Sequence, residues 1–127
     1  MRTTLALLSE RGVAKMLFKT GYAGQSFVVA CLDERIDAAN APHFRQRMRD
    51  VTAGSRGPVV LDLSKVDFID SSGLGAIVAA MKDLSPDRRL ELAAPSSNVA
   101  RVLSLTRMDM VFTIHGSAPV MDATNAA

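Results

Sequence analysis

One segment in the middle of the chain constrains the fold more than any other. The apolar run 58–69 predicts a strand with an irregular tail, and 74–84 repeats apolar residues at helical spacing. The hexapeptide Asp70-Ser-Ser-Gly-Leu-Gly75 joins the two. A buried strand that turns directly into a helix predicts an α/β protein, with this turn at the carboxyl end of a central strand. Two hydroxyls and two glycines then stand at a helix N-terminus, where backbone N–H groups lack partners and negative charge is favoured.

Strands and helices alternate along the rest of the chain. Strands separated by helices predict a mostly parallel sheet, and an opening hairpin adds an antiparallel edge. Asn40 is expected to cap the first helix, and Pro42 suits its first turn. The predicted elements, in order, are strands over 15–20 and 26–32 around a turn at 21–24, a helix that begins within 37–42 and ends before 54–57, a strand over 59–63, the helix over 74–84, a strand over 90–94, a helix after 95–98, a strand over 110–114 and a short helix within 118–127.

Length and charge limit the class of protein. The 127 residues suffice for one domain, which we place at 15–127 behind an N-terminal extension at 1–14. The net charge of +2 is too small to indicate a nucleic-acid surface, and the dense basic group at 45–49 fits a solvated helix face. The single cysteine, Cys31, fits a reducing compartment, and no apolar run reaches the ~20 residues that span a bilayer. We therefore expect a cytoplasmic protein without membrane insertion.

Catalytic signals are weak. His43 and His115 have no cysteine or carboxylate at metal-ligand spacing, so no metal site is expected. The chain has no Gly-x-Ser-x-Gly elbow, no phosphate-binding loop and no dinucleotide fingerprint, so neither a cofactor nor an enzymatic activity is predicted. Asp62, Asp67 and Asp70 could be imagined as a metal or phosphotransfer cluster, but solvated carboxylates at strand ends and in loops are the better interpretation.

The hexapeptide 70–75, here called the serine turn, has two interpretations from its residues alone. On the simpler one, Ser71 or Ser72 caps the helix, which contributes about 1 kcal/mol. On the other, a hydroxyl here carries a phosphate that the helix N-terminus tolerates. Gly73 and Gly75 would each cost the helix up to ~1 kcal/mol relative to alanine, which indicates that a bare backbone is required there. The pattern leaves the choice between the two hydroxyls open.

The segment 59–75 resembles the signature of STAS domains, and most of all that of bacterial anti-sigma-factor antagonists. The resemblance runs from about Met16 to Ala118 and includes Glu34-Arg-Ile-Asp37. It implies the α/β STAS fold, a mostly parallel central sheet with an antiparallel N-terminal edge and helices packed mainly on one face.

The resemblance also implies a function. Ser71 would be the phosphoacceptor, and the unphosphorylated protein would bind an anti-sigma factor and free a sigma factor for transcription. That partner would be a serine kinase of ATP-binding fold, and a serine phosphatase would reset the switch. The implied partner-binding residues are Asp37, Asp70, Ser71, Ser72, Gly73, Leu74 and Gly75. The antagonist itself would have neither catalytic residues nor a cofactor.

Two departures from the family pattern concern loops. Glu34 stands where a glycine is common before the acidic loop, and Arg107 stands at a glycine position after the third predicted helix. An alternative function is a STAS scaffold subunit of a stress-sensing or membrane-transport complex, with Ser71 as an unmodified cap. A small hydrolase using Asp70 or Ser71 ranks far behind, because the sequence offers no base or metal site. The oligomeric state stays open.

Overall fold

The computed structural model describes residues 16–122, which form an α/β unit of seven strands and three α-helices. The strands are β1 Phe18–Ala23, β2 Ser26–Cys31, β3 Arg35–Ile36, β4 Val59–Asp62, β5 Phe68–Ile69, β6 Leu90–Ala93 and β7 Ile114–His115. The helices are α1 Ala41–Thr52, α2 Ser71–Leu84 and α3 Ser97–Leu105, followed by a 3-10 turn at Met108–Met110. None of these helices has the length and apolar character that crossing a bilayer requires.

The strands form two sheets. The larger sheet has the order β1-β2-β4-β6-β7, in which β1 and β2 are antiparallel and every other pair is parallel. The smaller sheet pairs β3 with β5 in parallel, so that Arg35 lies opposite Phe68 and Ile36 opposite Ile69. The mostly parallel sheet with an antiparallel N-terminal edge confirms the predicted fold class.

The core lies between one face of the larger sheet and the three helices. Alternate strand residues, such as Val29, Leu61 and Leu92, point into it. The helices contribute apolar residues at helical spacing, which are Phe44 and Met48 of α1, Ile77 and Ala80 of α2, and Val99 and Leu103 of α3. Every one of these side chains is buried, so burial of this face supplies the main stabilisation of the fold.

Ion pairs join α1 to α2 near the C-terminal end of α2. Both carboxylate oxygens of Asp83 accept hydrogen bonds from Arg45, and both also accept from Arg49. The two guanidinium groups hold the pKa of Asp83 well below its ordinary value, mainly through the hydrogen bonds from Arg45 and then Arg49. Two arginines of the basic group in α1 therefore contribute to helix packing.

The segment 116–122, here called the C-terminal strap, links β7 at one edge of the larger sheet to β1 at the other. At its end, the N–H of Asp122 donates to the Tyr22 carbonyl at 2.7 Å. Tyr22 is in β1 and the strap starts from β7, the opposite edge, about 19 Å away at ordinary strand spacing. Seven residues extend at most about 25 Å, too short to pass around the helices. The strap therefore takes a direct path from one edge of the larger sheet to the other.

Several predicted boundaries are wrong. Residues 21–23 of the turn predicted at 21–24 are part of β1, because Tyr22 pairs with Phe27 and the chain reverses only at Gly24-Gln25. Gly24 has φ +60°, which suits a two-residue hairpin turn. The irregular tail of the predicted strand at 58–69 is β5, and its pairing with β3 was not predicted. The second helix begins at Ser71 and not at Leu74.

The C-terminal third differs most from the prediction. The strand predicted over 110–114 is reduced to Ile114–His115, because Arg107 has φ 64° and directs the chain into the 3-10 turn. This left-handed conformation is one that glycine adopts more readily than arginine. Of the helix predicted within 118–127, residues 118–122 are not helical and 123–127 lie outside the described residues. Lys15 and the extension at 1–14 also lie outside them.

Candidate functional site

The serine turn is held in place by Asp70, the residue before it. Asp70 is the N-cap of α2, and its Oδ1 accepts a hydrogen bond from the Gly73 N–H at 2.8 Å. Its other oxygen, Oδ2, accepts from the Ala38 N–H at 3.1 Å. One carboxylate thus ties the start of α2 to the loop between β3 and α1. Because Asp70 follows β5 directly, the turn lies at the carboxyl end of a strand of the small sheet, and not at the end of the central strand β4 as the sequence had predicted.

The expectation that Ser71 or Ser72 caps the helix is wrong. Both serines are exposed, and neither hydroxyl has a hydrogen-bond partner among residues 16–122. A carboxylate accepts an N–H hydrogen bond more strongly than a neutral hydroxyl does, and its negative charge suits the helix N-terminus. With Asp70 in that role, the two hydroxyls are free for chemistry or for contact with another molecule.

The two glycines of the turn have different roles. Gly73 is buried, and a Cβ there would collide with the Ile36 carbonyl oxygen and lie 2.7 Å from its carbon. The bare backbone lets the first turn of α2 approach β3 closely. A Cβ on Gly75 would meet nothing within 4 Å, so packing does not require this glycine. Leu74, between them, is half-buried against the core and donates its N–H to the Asp70 carbonyl at 2.9 Å.

Asp37 lies in the loop that Asp70 contacts. Its Oδ1 accepts a hydrogen bond from the Ala39 N–H, and its Oδ2 accepts one from the Nε of Arg35, each at 3.1 Å. The hydrogen bond from Arg35 is the largest of the causes that lower the pKa of Asp37. The register of β3 and β5 places Asp37 beside Asp70, so the structure brings together the two acidic residues singled out in the sequence.

Asn40 shapes this loop but does not cap α1, contrary to the prediction. Its side chain makes no capping hydrogen bond, although it stands at the N-cap position. Instead its Nδ2 donates to the Arg35 carbonyl at 2.8 Å, and its Oδ1 accepts from the Asp37 N–H at 2.9 Å. Asn40 is only 6% exposed, so it braces the loop from inside. The sequence signal for this role is the single polar side chain, Asn40, among three alanines just before Pro42.

The outer face of the small sheet carries an arginine–aromatic pair that sequence reasoning missed. The Arg35 guanidinium carbon lies 4.1 Å from the centre of the Phe68 ring, which is 38% exposed. Such stacking is a cation–π contact. Arg35 and Phe68 lie directly opposite in the strand register, and Asp37 and Asp70 follow them toward the serine turn. The sequence alone does not reveal this pair, because Arg35 and Phe68 become neighbours only through the pairing of β3 with β5.

A groove of about 480 Å³ runs between α1 and α2 beside the turn. Its lining is dominated by small residues, with Ala38, Gly75 and Ala76 among them. Ser72 lines this groove, together with Arg45 and Arg49, whereas Ser71 does not. The two neighbouring serines therefore face different surroundings.

The remaining candidate groups do not form a catalytic or metal centre among residues 16–122. Asp62 accepts from the Ser64 N–H and Asp67 accepts from the Asn98 side chain, so these carboxylates do not converge on Asp70. His115 pairs with Glu91 at 2.8 Å on β7 and β6, whereas His43 is exposed on α1. No group of three potential metal ligands occurs in the described part of the chain. Cys31 is buried, as predicted, and burial is the main cause that raises its pKa to about 12.

Comparison with known proteins identifies the class. A family model described as STAS domain matches residues 22–120. A Thermotoga maritima protein, provisionally named an anti-sigma factor antagonist, is 41% identical over 90 residues, which cover 69% of this chain and 80% of that protein. The anti-sigma-B factor antagonist of Listeria monocytogenes is 31% identical over 93 residues, covering 72% and 81%.

A solved structure agrees with these sequence matches. The crystal structure of an anti-sigma factor antagonist from Mycobacterium paratuberculosis has a TM-score of 0.71 at 26% identity, covering 81% of this chain and 87% of that one. A mixed sheet with an antiparallel edge and helices on one face is thus the architecture of a STAS protein of the antagonist type. The chain belongs to the STAS domain family, as the segment 59–75 had suggested.

Proposed function

We propose that this protein is a phosphorylation-switched anti-sigma-factor antagonist. In its unphosphorylated form it binds an anti-sigma factor, which is also a serine kinase of ATP-binding fold, and so frees a sigma factor. Phosphorylation of Ser71 ends this binding, and a serine phosphatase restores it. Because the exchange needs ATP, it takes place in the cytoplasm. The protein acts as a binding module, and the chemistry belongs to its partners.

The observation that supports this proposal is the freedom of the Ser71 hydroxyl. It is exposed and has no partner among residues 16–122, because Asp70 performs the capping. The hydrogen bonds from Gly73 and Ala38 to Asp70 fix the backbone on which that hydroxyl stands. An exposed hydroxyl on a fixed turn is a good substrate for a kinase, since no fold contact has to break.

The phosphoryl transfer balances with ATP as the donor. The Ser71 oxygen forms a bond to the γ-phosphorus, the bond between that phosphorus and ADP breaks, and the hydroxyl proton passes to a base of the kinase. The product carries about −1.5 to −2 charges beside Asp70 and Asp37. The start of α2 offsets part of this charge inside the fold. A partner surface packed on the turn receives no such compensation and is repelled.

The proposed contact surface consists of the serine turn and the loop that Asp70 holds. Asp37 and Ala38 border it on one side. Ser72 and Gly75 border it on the other, along the groove between α1 and α2. Since a Cβ on Gly75 would meet nothing in this chain, the space above that glycine is open to a partner.

Incubation with the cognate anti-sigma kinase and ATP, followed by mass spectrometry, tests the assignment. We expect one phosphate on Ser71, retention of that phosphate in Ser72→Ala, and none in Ser71→Ala. Unphosphorylated protein and Ser71→Ala should retain the kinase in a pull-down, and Ser71→Asp should retain less. A phosphate on Ser72 alone, or on another residue, would remove Ser71 from the proposal.

The alternative, a scaffold subunit of a stress-sensing or transport complex, is favoured by a different observation. Leu105 and Met110 are 77% and 80% exposed, and Val111 beside them is also exposed. Exposed apolar residues grouped in this way mark contacts with other proteins. Recovery of the protein in one stable complex, whether or not ATP is present, would support the scaffold; loss of the partner on addition of ATP would support the switch.

A further inference from the structure

One arginine, Arg35, lies in one of two acidic segments that border the serine turn. Within the segments 33–42 and 66–81, Arg35 is the only lysine or arginine. The same segments contain five carboxylates, which are Asp33, Glu34, Asp37, Asp67 and Asp70. A phosphate added to this region meets mostly like charge, and Arg35 is the one basic group on these segments that can offset it.

Arg35 has unused donors. Its Nε is bonded to Asp37, but its two terminal nitrogens have no hydrogen-bond partner among residues 16–122. The side chain lies on the Phe68 ring and is 59% exposed, so it can move without opening the core. A guanidinium with free terminal nitrogens matches the oxygens of a phosphate, which it binds in a bidentate way.

The geometry places Arg35 on the same side as the serine turn. Arg35, Asp37, Phe68 and Asp70 alternate with the buried Ile36 and Ile69, so the four share the outer face of the small sheet. The Arg35 side chain already points along β3 toward its end, where it reaches Asp37. The hydrogen bond from Ala38 to Asp70 draws that end of β3 to the residue that precedes Ser71.

Other cations close to the turn are already occupied. Arg45 and Arg49 line the groove with Ser72, and both are bonded to Asp83 at distances from 2.9 to 3.4 Å. Freeing either would remove two of the four hydrogen bonds that join α1 to α2 at Asp83. Freeing Arg35 breaks one exposed ion pair of the kind that contributes little. Asp37 would keep its hydrogen bond from the Ala39 N–H.

We propose that Arg35 is the intramolecular ligand of a phosphate on Ser71, which it binds by leaving Asp37. This inference rests on the proposed phosphorylation of Ser71 and adds its regulation. In the unmodified protein Arg35 covers Phe68 and neutralises Asp37. In the phosphorylated protein it turns to the phosphate, uncovering the ring and leaving Asp37 without its cation. The surface that a partner meets thus changes at β3 as well as at the serine.

The test places the phosphate chemically, so that it does not depend on any kinase. Phosphoserine is incorporated at position 71 during translation, and the second ionisation of its phosphate is followed by phosphorus NMR between pH 4 and 8. The proteins compared are the wild-type background, Arg35→Gln, Arg35→Lys and the control Arg56→Gln. Arg56 is a matched control, because its guanidinium also lies over an aromatic ring, Tyr22, but at the opposite end of the sheet.

We expect Arg35→Gln to raise the phosphate pKa by about half a pH unit, as for one solvent-exposed ion pair. Arg35→Lys should give a smaller rise, and Arg56→Gln none. The other charged or titratable groups on the elements around the turn include Asp33, Glu34, Asp37, Lys65, Asp67, Asp70, Lys82, Asp83 and the imidazole of His43, together with Arg45 and Arg49. These are common to all four proteins, so the difference reports Arg35. High salt should reduce the difference in phosphate pKa between the wild-type background and Arg35→Gln, because it screens the charge of Arg35.

Phosphoserine at position 72 provides a second control, because Ser72 faces the groove with Arg45. Its phosphate pKa should not respond to Arg35→Gln. Equal titration of phosphoserine 71 in the wild-type background and in Arg35→Gln would overturn the role of Arg35. That result would not affect the proposal that a kinase phosphorylates Ser71. Conversely, a kinase assay without phosphate on Ser71 would not change the result of the titration. The two proposals can therefore fail separately.

Discussion

The carboxylate of Asp70 accepts the Gly73 N–H at 2.8 Å and so occupies the capping position that would otherwise belong to Ser71. This relationship separates two roles that the sequence had merged. The Asp70 carboxylate holds the turn in place, whereas the Ser71 hydroxyl makes no hydrogen bond to residues 16–122. A phosphate on Ser71 can therefore alter a contact surface without unfolding the helix beneath it.

Replacement of the cap should weaken the fold. Asp70→Ala removes the acceptor for Gly73 and for Ala38, and we expect a loss of about 1–2 kcal/mol in the free energy of unfolding. Urea denaturation followed by circular dichroism measures this loss. Asp67→Ala is the control, because Asp67 is exposed and bonds only the Asn98 side chain. Equal stability of the two variants would mean that the cap is unimportant.

Removal of the Ser71 hydroxyl should leave stability almost unchanged. Ser71→Ala deletes a group that has no partner among residues 16–122, so we expect a change within about 0.5 kcal/mol. The same urea titration measures it, with Ser72→Ala as the neighbouring control. A loss above about 1 kcal/mol would assign Ser71 a structural role and weaken the case for a free phosphoacceptor.

The two glycines of the turn should respond in opposite directions to alanine. Gly73→Ala forces a Cβ against the Ile36 carbonyl and should cost about 1–3 kcal/mol. Gly75→Ala meets open space and should gain up to about 1 kcal/mol from helix propensity. Thermal and urea unfolding give both values. If Gly75→Ala is stable but no longer retains the kinase in a pull-down, the open space above Gly75 belongs to the contact surface.

The ion pair between the helices should give the protein an acid-sensitive component of stability. The pKa of Asp83 is lowered in the folded state from an ordinary value of 3.8, chiefly by Arg45 and Arg49. The charged form is thus favoured by folding, so its stabilisation is full well above pH 4 and is lost as the pH falls below that value. At pH 7 we expect Asp83→Asn to be less stable by up to about 1 kcal/mol, because the pair is partly solvated.

Urea titrations of the wild type and Asp83→Asn at several pH values test this dependence. The difference between the two proteins should be constant from pH 7 to about pH 5 and shrink at lower pH. Asp50→Asn serves as the control, since Asp50 is exposed on the same helix as the two arginines and bonds only Gln46. A difference that stays constant down to pH 2 would show that the charge of Asp83 does not contribute.

The order of strands and helices could be predicted from the sequence because each long element carries its own period. Phe44 and Met48 recur at helical spacing in α1, and Val59–Asp62 is a compact apolar run. The short elements had no such signal. β3 and β5 are two residues each and exist through their pairing with one another, which no local pattern reveals.

The serine turn could be located from its residues, but its hydrogen bonds could not. Serine and aspartate are both good N-caps, so the sequence cannot decide between adjacent candidates at 70, 71 and 72. Asp70 is the N-cap because α2 begins at Ser71. That starting point depends on how closely Gly73 approaches Ile36 of the small sheet. The Arg35–Phe68 pair could not be predicted for a similar reason, because it depends on the pairing of β3 with β5.

The strap after β7 also determines where the chain can be handled in experiments. Its last described residue, Asp122, bonds Tyr22 beside the hairpin, at the end of the sheet opposite to the Ser71 turn. A fluorophore or an affinity handle attached at position 122 therefore stands at the end of the sheet remote from the serine. Protein anchored to a sensor surface through that position presents Ser71 to the solution, which is the orientation that binding measurements require.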